Sequence, residues 1–163
     1  MKKKIEVVGL VPVKADSDRV KQKNLRKFHN TNLFELKLKQ LKKTKKFKNI
    51  IVSSENEEIL KTAKKSGFGI HVRDSYYSTS TVPMSEVYSY IASEIQADHI
   101  AWINVTNPLA GPKVYDKAVE LYRKINKKYD CLLNACIRQE SFFYKNKPVN
   151  FKPYPWSRSQ DLE

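Results

Sequence analysis

Between Val13 and Leu25 the chain reads VKADSDRVKQKNL, with four cations, Lys14, Arg19, Lys21 and Lys23, inside ten residues. Ser17 and Asn24 add hydrogen-bonding groups to the same stretch. Cations and neutral donors gathered on one loop suit a triphosphate, whose several charges need point cations and hydrogen bonds together. The loop is neither of the common glycine-rich phosphate cradles, since GxxxxGK followed by Ser or Thr is absent and so is GxGxxG. An ordinary charged surface loop is the competing reading of the same residues.

What places such a loop is the pattern around it. Apolar runs of strand length occur at 5–13, 49–53, 69–72, 99–104 and 131–137, most of them rich in β-branched residues. Helical patterns separate them at 33–46, 55–66, 83–96 and 112–127. The first carries Phe34, Leu38 and Leu41 on one stripe, and most of its lysines on the other. Gly67 supplies a stop for the second, and Pro83 and Pro112 sit at the starts of the third and fourth. Strand and helix alternating four times predict an α/β, Rossmann-like, three-layer fold around a mainly parallel sheet. Runs such as IEVVGLVPV and HIAWINV fit strands buried on both faces. In such a sheet, ligands bind beyond the carboxyl ends of the strands, and the loop after the first strand lies there.

Composition narrows the classes. With 163 residues, 40% of them hydrophobic, the chain can close a core, which excludes a disordered tail. The net charge of +14 suits a polyanion, yet only six of the 31 cations are arginine. A surface that reads bases would use more of arginine's planar fork. The seven lysines from Lys37 to Lys48 read as the solvated face of an amphipathic helix. Cys131 and Cys136 are five apart; on one strand they point to opposite faces, against a disulfide or a shared metal. His29, His71 and His99 are isolated, so no zinc or Ser-His-Asp site is expected. Trp102 reads as core rather than a stacking platform. No apolar run reaches the roughly twenty residues of a membrane span, and the expected location is the cytoplasm, with no membrane and no nucleic-acid partner.

Taken together, five segments resemble a known family. PVKADSDRVKQKN is similar to the first-loop signature of cytidylyltransferases that make CMP-activated acidic sugars, the CMP-sialic acid and CMP-Kdo synthetases. In that signature Pro12 stands for the Pro, Lys14 for the Arg, Ser17 for the Ser, Arg19 for the Arg of the Kdo branch, and Lys23-Asn24 for the closing Lys-Asn. Ile51–Glu55 is similar to the family's Val-Ser-Thr-Asp, and the stretch from Arg73 to Thr81 to its Arg-Pro segment. Asn104–Leu109 is similar to Gln-Pro-Thr-Ser-Pro-Leu, with Asn104 where the sialic branch has Gln. Arg158–Leu162 is similar to Arg-Arg-Gln-Asp-Leu. Two departures stand in the first loop: Lys14 loses the bidentate geometry of Arg, and Asp16 and Asp18 add carboxylates beside the expected phosphates.

The resemblance implies a single nucleotidyltransferase domain over 1–163 that lacks the family's C-terminal part. It implies transfer of CMP from CTP to an acidic sugar, with release of pyrophosphate. Lys14, Ser17, Arg19, Lys23 and Asn24 would hold the triphosphate, with Lys23 and Arg19 carrying the catalytic charge stabilisation. Arg73, Ser78 and Thr81 would meet the cytosine, and Asn104, Arg158 and Gln160 the sugar. Mg²⁺ would be the cofactor, with ligands beyond residue 163, and the full-length protein would be a homodimer. Two rival readings remain open: a glycosyltransferase-like nucleotide-sugar domain, and a basic module that binds nucleic acid or another polyanion.

Overall fold

Four parallel strands in the order β3-β2-β1-β4 form the centre of the protein. They are β1 (Val7–Pro12), β2 (Asn49–Ser54), β3 (Gly69–Val72) and β4 (His99–Trp102). The computed structural model describes residues 5–17, 20–135 and 143–149. Between the strands run α1 (Leu33–Leu41), α2 (Glu57–Lys65) and α3 (Met84–Glu94), and α4 (Pro112–Ile125) follows β4. The chain divides into two units, Met1–Cys131 and Leu132–Glu163, and the sheet belongs wholly to the first. In the second, β5 (Phe143–Tyr144) and β6 (Lys147–Pro148) pair antiparallel across Lys145 and Asn146. Both turn residues have positive φ, as a two-residue hairpin turn of that hand requires.

Each layer follows from alternation along β1. Val11 and Val13 face one side and pack with Phe34, Leu38 and Leu41 of α1, and with Ile59 and Ala63 of α2. Val8 and Leu10 face the other and pack with Val87 and Ile91 of α3. Two faces thus receive helices, giving the expected three layers, and β1 is apolar throughout because neither face meets water. Gly9 is crowded by side chains of the strands on either side of β1. A Cβ there would lie 3.2 Å from Ile103 Cδ1 and 3.3 Å from Ile50 Cγ1.

Local chemistry sets the helix ends. The Asn32 side chain accepts from Glu35 N (2.8 Å) at the start of α1, and that of Asn56 from Ile59 N (3.1 Å) at the start of α2. At the end of α2, Gly67 takes φ +81°, its N–H donates to Lys64 O, and Phe68 N donates to Ala63 O. This closing pattern needs a left-handed residue, which glycine adopts without a Cβ penalty. Pro112 occupies the first turn of α4 as expected.

Two elements differ from the sequence reading. The first helix stops at Leu41, not Lys46, because Asp116 of α4 accepts from the amides of Lys45 and Lys46 (2.9 and 3.1 Å). Tertiary acceptors thus replace the next helical turn. The stretch 131–137 was expected to be a strand, but its described part, 131–135, is exposed and forms none. Apolar composition makes a strand only where a neighbour completes the ladder. Cys131 is a free, exposed thiol, and Cys136 lies outside the described residues. Among the described residues no helix is long and apolar enough to cross a membrane.

Gly9→Val adds a Cβ and two methyl groups against Ile103 and Ile50, and overpacking of this kind costs about 2 kcal/mol. Urea unfolding should show the midpoint lowered with the slope unchanged; an unaltered midpoint would mean that these side chains are not packed this closely on β1.

Candidate active site

Strand order decides where the loops meet. From β1 the chain moves outward through β2 to β3 with α1 and α2 on one face, then returns by α3 on the other face to β4, on the far side of β1. The order therefore reverses between β1 and β4, and a crevice at such a reversal is where open sheets of this kind hold ligands. Parallel pairing brings the carboxyl ends of all four strands to one edge, at Pro12, Ser54, Val72 and Trp102. The ladders run one residue further, through Val13 N to Ser53 O, Arg73 N to Ser54 O and Ile103 N to Leu10 O, all 2.8–2.9 Å.

One carboxylate binds three of these ends together. Glu55, just past β2, accepts from Ala15 N through Oε1 (2.9 Å), and through Oε2 from Arg73 Nη2 (2.7 Å) and Ser78 Oγ (2.8 Å). Arg73, only 4% exposed, also donates from Nη2 to Val13 O (3.0 Å) and from Nε to Ser78 Oγ (2.9 Å). Burial pushes the Glu55 carboxyl up, but the Ala15 amide, the Arg73 guanidinium and the Ser78 hydroxyl outweigh it and hold it below the ordinary carboxylate range. Glu55 is free to do this because α2 is capped by Asn56 and begins at Glu57, two residues later than the hydrophobic pattern suggests.

The loop after β1 is organised from within. Asn24, 7% exposed, donates from Nδ2 to Lys14 O (3.1 Å), which folds the two ends of the loop onto each other. Its Oδ1 is buried and has no hydrogen-bond partner among the described residues. Asp16 is exposed, accepts from Ser17 N (2.8 Å), and is held below the ordinary carboxylate range chiefly by the Ser17 and Gln22 amides. Its carboxylate thus serves the loop's own backbone. Lys23 is half-buried in the turn from Val20 to Arg26, where Gln22 takes φ 52°. Among the described residues neither Lys14 nor Lys23 forms an ion pair with an acid. Arg19 and Asp18 lie outside the described residues, as do Arg158 and Gln160.

Of the other expected site residues, Ser78 joins the Glu55–Arg73 cluster. Thr81 is exposed and meets Thr79 Oγ1 (3.1 Å) instead. Asn104 is exposed beyond β4, and its carbonyl accepts from Asn107 N (3.4 Å) in a turn. Trp102 is half-buried, edge-on to Tyr88 with ring centroids 4.5 Å apart. His71 meets Ser53 Oγ (2.9 Å), and His99 meets Tyr122 OH (3.0 Å). Glu55 was read only as part of a motif, although an acid ending an apolar strand already signals a buried partner.

Residues 8–152 match the family model described as Cytidylyltransferase. The chain belongs to the cytidylyltransferase family. It is 28% identical to the pseudaminic acid cytidylyltransferase of Campylobacter jejuni over 167 residues, covering 94% of this chain and 71% of that protein. It is 25% identical to N-acylneuraminate cytidylyltransferase A of Danio rerio over 170 residues, covering 98% of this chain and 39% of the relative. In fold it is similar to a CMP:2-keto-3-deoxy-manno-octonic acid synthetase complexed with CTP, with TM-score 0.61 and 11% identity over 73% of this chain and 48% of that one. A cytidylyltransferase from Leptospira borgpetersenii is likewise similar, with TM-score 0.58, 24% identity, and 72% and 48% coverage. The chain thus spans about half the length of these solved cytidylyltransferases. Their Rossmann-like nucleotidyltransferase fold is the one expected here.

Replacing Glu55 by Gln leaves Arg73 buried without its counter-charge, and breaking such a pair costs about 3 kcal/mol. Because the folded carboxyl titrates below its ordinary value of 4.5, its contribution is complete above that pH and lost as pH falls through the lower, folded value. Urea unfolding at pH 7 and at pH 3 should therefore show the gap between wild type and Glu55→Gln closing in acid. A gap independent of pH would contradict the assignment.

Proposed function

We propose that this cytidylyltransferase-family chain transfers CMP from CTP to an acidic sugar, a nonulosonic acid or a Kdo-like acid, and releases pyrophosphate. The observation that carries this reading is the convergence of the cation-rich loop, the Glu55–Arg73–Ser78 cluster and the Asn104 turn on one edge of the sheet, about the reversal of strand order. The names of the relatives agree with it, since they act on pseudaminic acid and N-acylneuraminate.

In this reading Lys14, Lys23 and Arg19 neutralise the triphosphate, with Ser17 and Asn24 beside them. The sugar's anomeric hydroxyl attacks the α-phosphorus, a P–O bond forms, the bond to the β-phosphate breaks, and the hydroxyl proton is released. Charge accumulates on the transferring and leaving oxygens, so pre-placed cations lower the barrier. Arg73 spends Nε and Nη2 on protein acceptors, which leaves Nη1 with two N–H groups for the carbonyl and ring nitrogen of cytosine. Thr81 would extend that site, and Asn104, Arg158 and Gln160 would receive the sugar.

Mg²⁺ belongs to the same reading as the partner of the phosphates. Among the described residues no group of three or more His, Cys, Asp and Glu converges. The steps above are the part that this chain's own cations would play; the ion, when bound, would share the charge of the phosphate oxygens. The proposed partners are CTP and the acidic sugar.

Lys23→Ala removes a charge-assisted contact and should weaken CTP binding by at least about 1.5 kcal/mol, roughly tenfold. Calorimetric titration with CTP, ATP and single-stranded RNA tests both the site and the class of ligand. Equal affinity of mutant and wild type for CTP would remove the loop from the site, and tighter binding of RNA than CTP would favour a polyanion-binding module.

A further inference from the structure

Lys37 lies on the apolar stripe of α1, one turn after Phe34 and one before Leu41, and its side chain is fully buried. A buried lysine without partners is costly, and this one has three. Nζ donates to Asn107 O (2.8 Å), Ala110 O (2.9 Å) and Tyr115 OH (2.8 Å), and lies 5.0 Å from the centre of the Tyr115 ring. One helical turn on, Gln40 Nε2 donates to Pro108 O (2.7 Å). Two side chains of α1 thus hold three of the four carbonyls from Asn107 to Ala110, in the loop after β4. Val105 and Ala110 turn into the core, whereas Asn104, Thr106 and Asn107 are exposed and Leu109 is 93% exposed. The exposed turn between those two apolar residues has few side-chain contacts of its own to hold it still; its backbone is fastened from below.

The same helix begins beside the cation-rich loop, where Phe34 N donates to Asn24 O (3.1 Å). The loops after β1 and β4, which flank the reversal of strand order, are therefore tied to one rigid element. We infer that Lys37, with Gln40, is a positioning residue that holds the Asn104–Ala110 loop as the preformed wall of the acidic-sugar subsite, while CTP binding does not depend on it. This inference rests on the reading of the site proposed above.

Protonation does not undo the anchor. Burial lowers Lys37 to about 8 and raises Tyr115 to about 12. The ammonium offers three N–H groups to three acceptors. The neutral amine offers two to the carbonyls and accepts from the Tyr115 hydroxyl, which is still protonated.

The test compares wild type with Lys37→Met and with Gln40→Leu, which removes one contact to the same loop from a half-buried position. Hydrogen exchange reads the anchor without any ligand. Amides 107 and 110 should exchange at least tenfold faster in Lys37→Met and by a smaller factor in Gln40→Leu, while those of β1 keep their protection. Titration of the CTP-loaded chain with Kdo, N-acetylneuraminate and pseudaminic acid, without divalent cation, reads the subsite. The Kd of whichever sugar binds wild type should rise at least tenfold in Lys37→Met, with the Kd for CTP within twofold. Unchanged exchange in both variants overturns the anchor. Faster exchange with unchanged sugar affinity, or equal losses for CTP and sugar, overturns the placement at the sugar subsite. A wild-type chain that binds CTP but none of the three acids counts against the underlying functional reading, and with it the assignment of this loop to a sugar; the exchange result would still judge the anchor.

Discussion

The Glu55 carboxylate is the constraint on which the rest of the site depends. It sits 20% exposed at the end of β2, between the loop after β1 and the segment after β3, and accepts one hydrogen bond from the former and two from the latter. Were it neutral or absent, the guanidinium of Arg73 would be buried beside Val13 O with no compensating charge, a state costing more than a normal surface pair contributes. The ends of three strands are therefore fixed relative to one another by charge and directed hydrogen bonds, while the hydrophobic layers beneath fix only the strands. Pre-placed groups of this kind suit chemistry in which the protein's contribution is to hold charge where it develops.

A second cation has a complementary part. Arg73 draws together the loops after β1 and β2, and Lys37 fastens the loop after β4 to α1. Both are buried, and both spend most of their donors on oxygens of their own chain. In the first loop Lys14 and Lys23 are half-buried and Lys21 is exposed, and none of the three makes an ion pair among the described residues. Two classes of cation thus differ by burial: one builds the site, and the other remains available to an anionic ligand.

Much of the fold was legible because it follows from periodicity. The first four strand segments stand where apolar runs place them, and Gly67, Pro83 and Pro112 mark helix ends as their backbone preferences require. The first helix was read too long because the acceptor that ends it, Asp116, lies about seventy residues away in the chain. The run 131–137 was read as a strand because its apolar character is visible, whereas the lack of a pairing neighbour for its described part, 131–135, is not. The site was legible in part. The first loop, Arg73, Ser78 and Asn104 do lie beyond strand ends on one edge, and Thr81 meets Thr79.

Residue types and spacing alone determined the α/β class, the order of elements and the cation-rich loop after the first strand. These are local properties, set by side-chain period and backbone preference over a few residues. Tertiary structure alone decided which lysines are solvated and which are structural. Lys37 looks like its neighbours in a run of seven lysines, yet its place on the stripe of Phe34 and Leu41 carries it inward to three oxygens 70 to 78 residues on. It also decided that Glu55 is the partner of Arg73, since parallel pairing of β2 with β3 sets the two strand ends side by side. Charge carries no address in sequence; its partner is chosen by which chain ends the sheet brings within hydrogen-bonding distance.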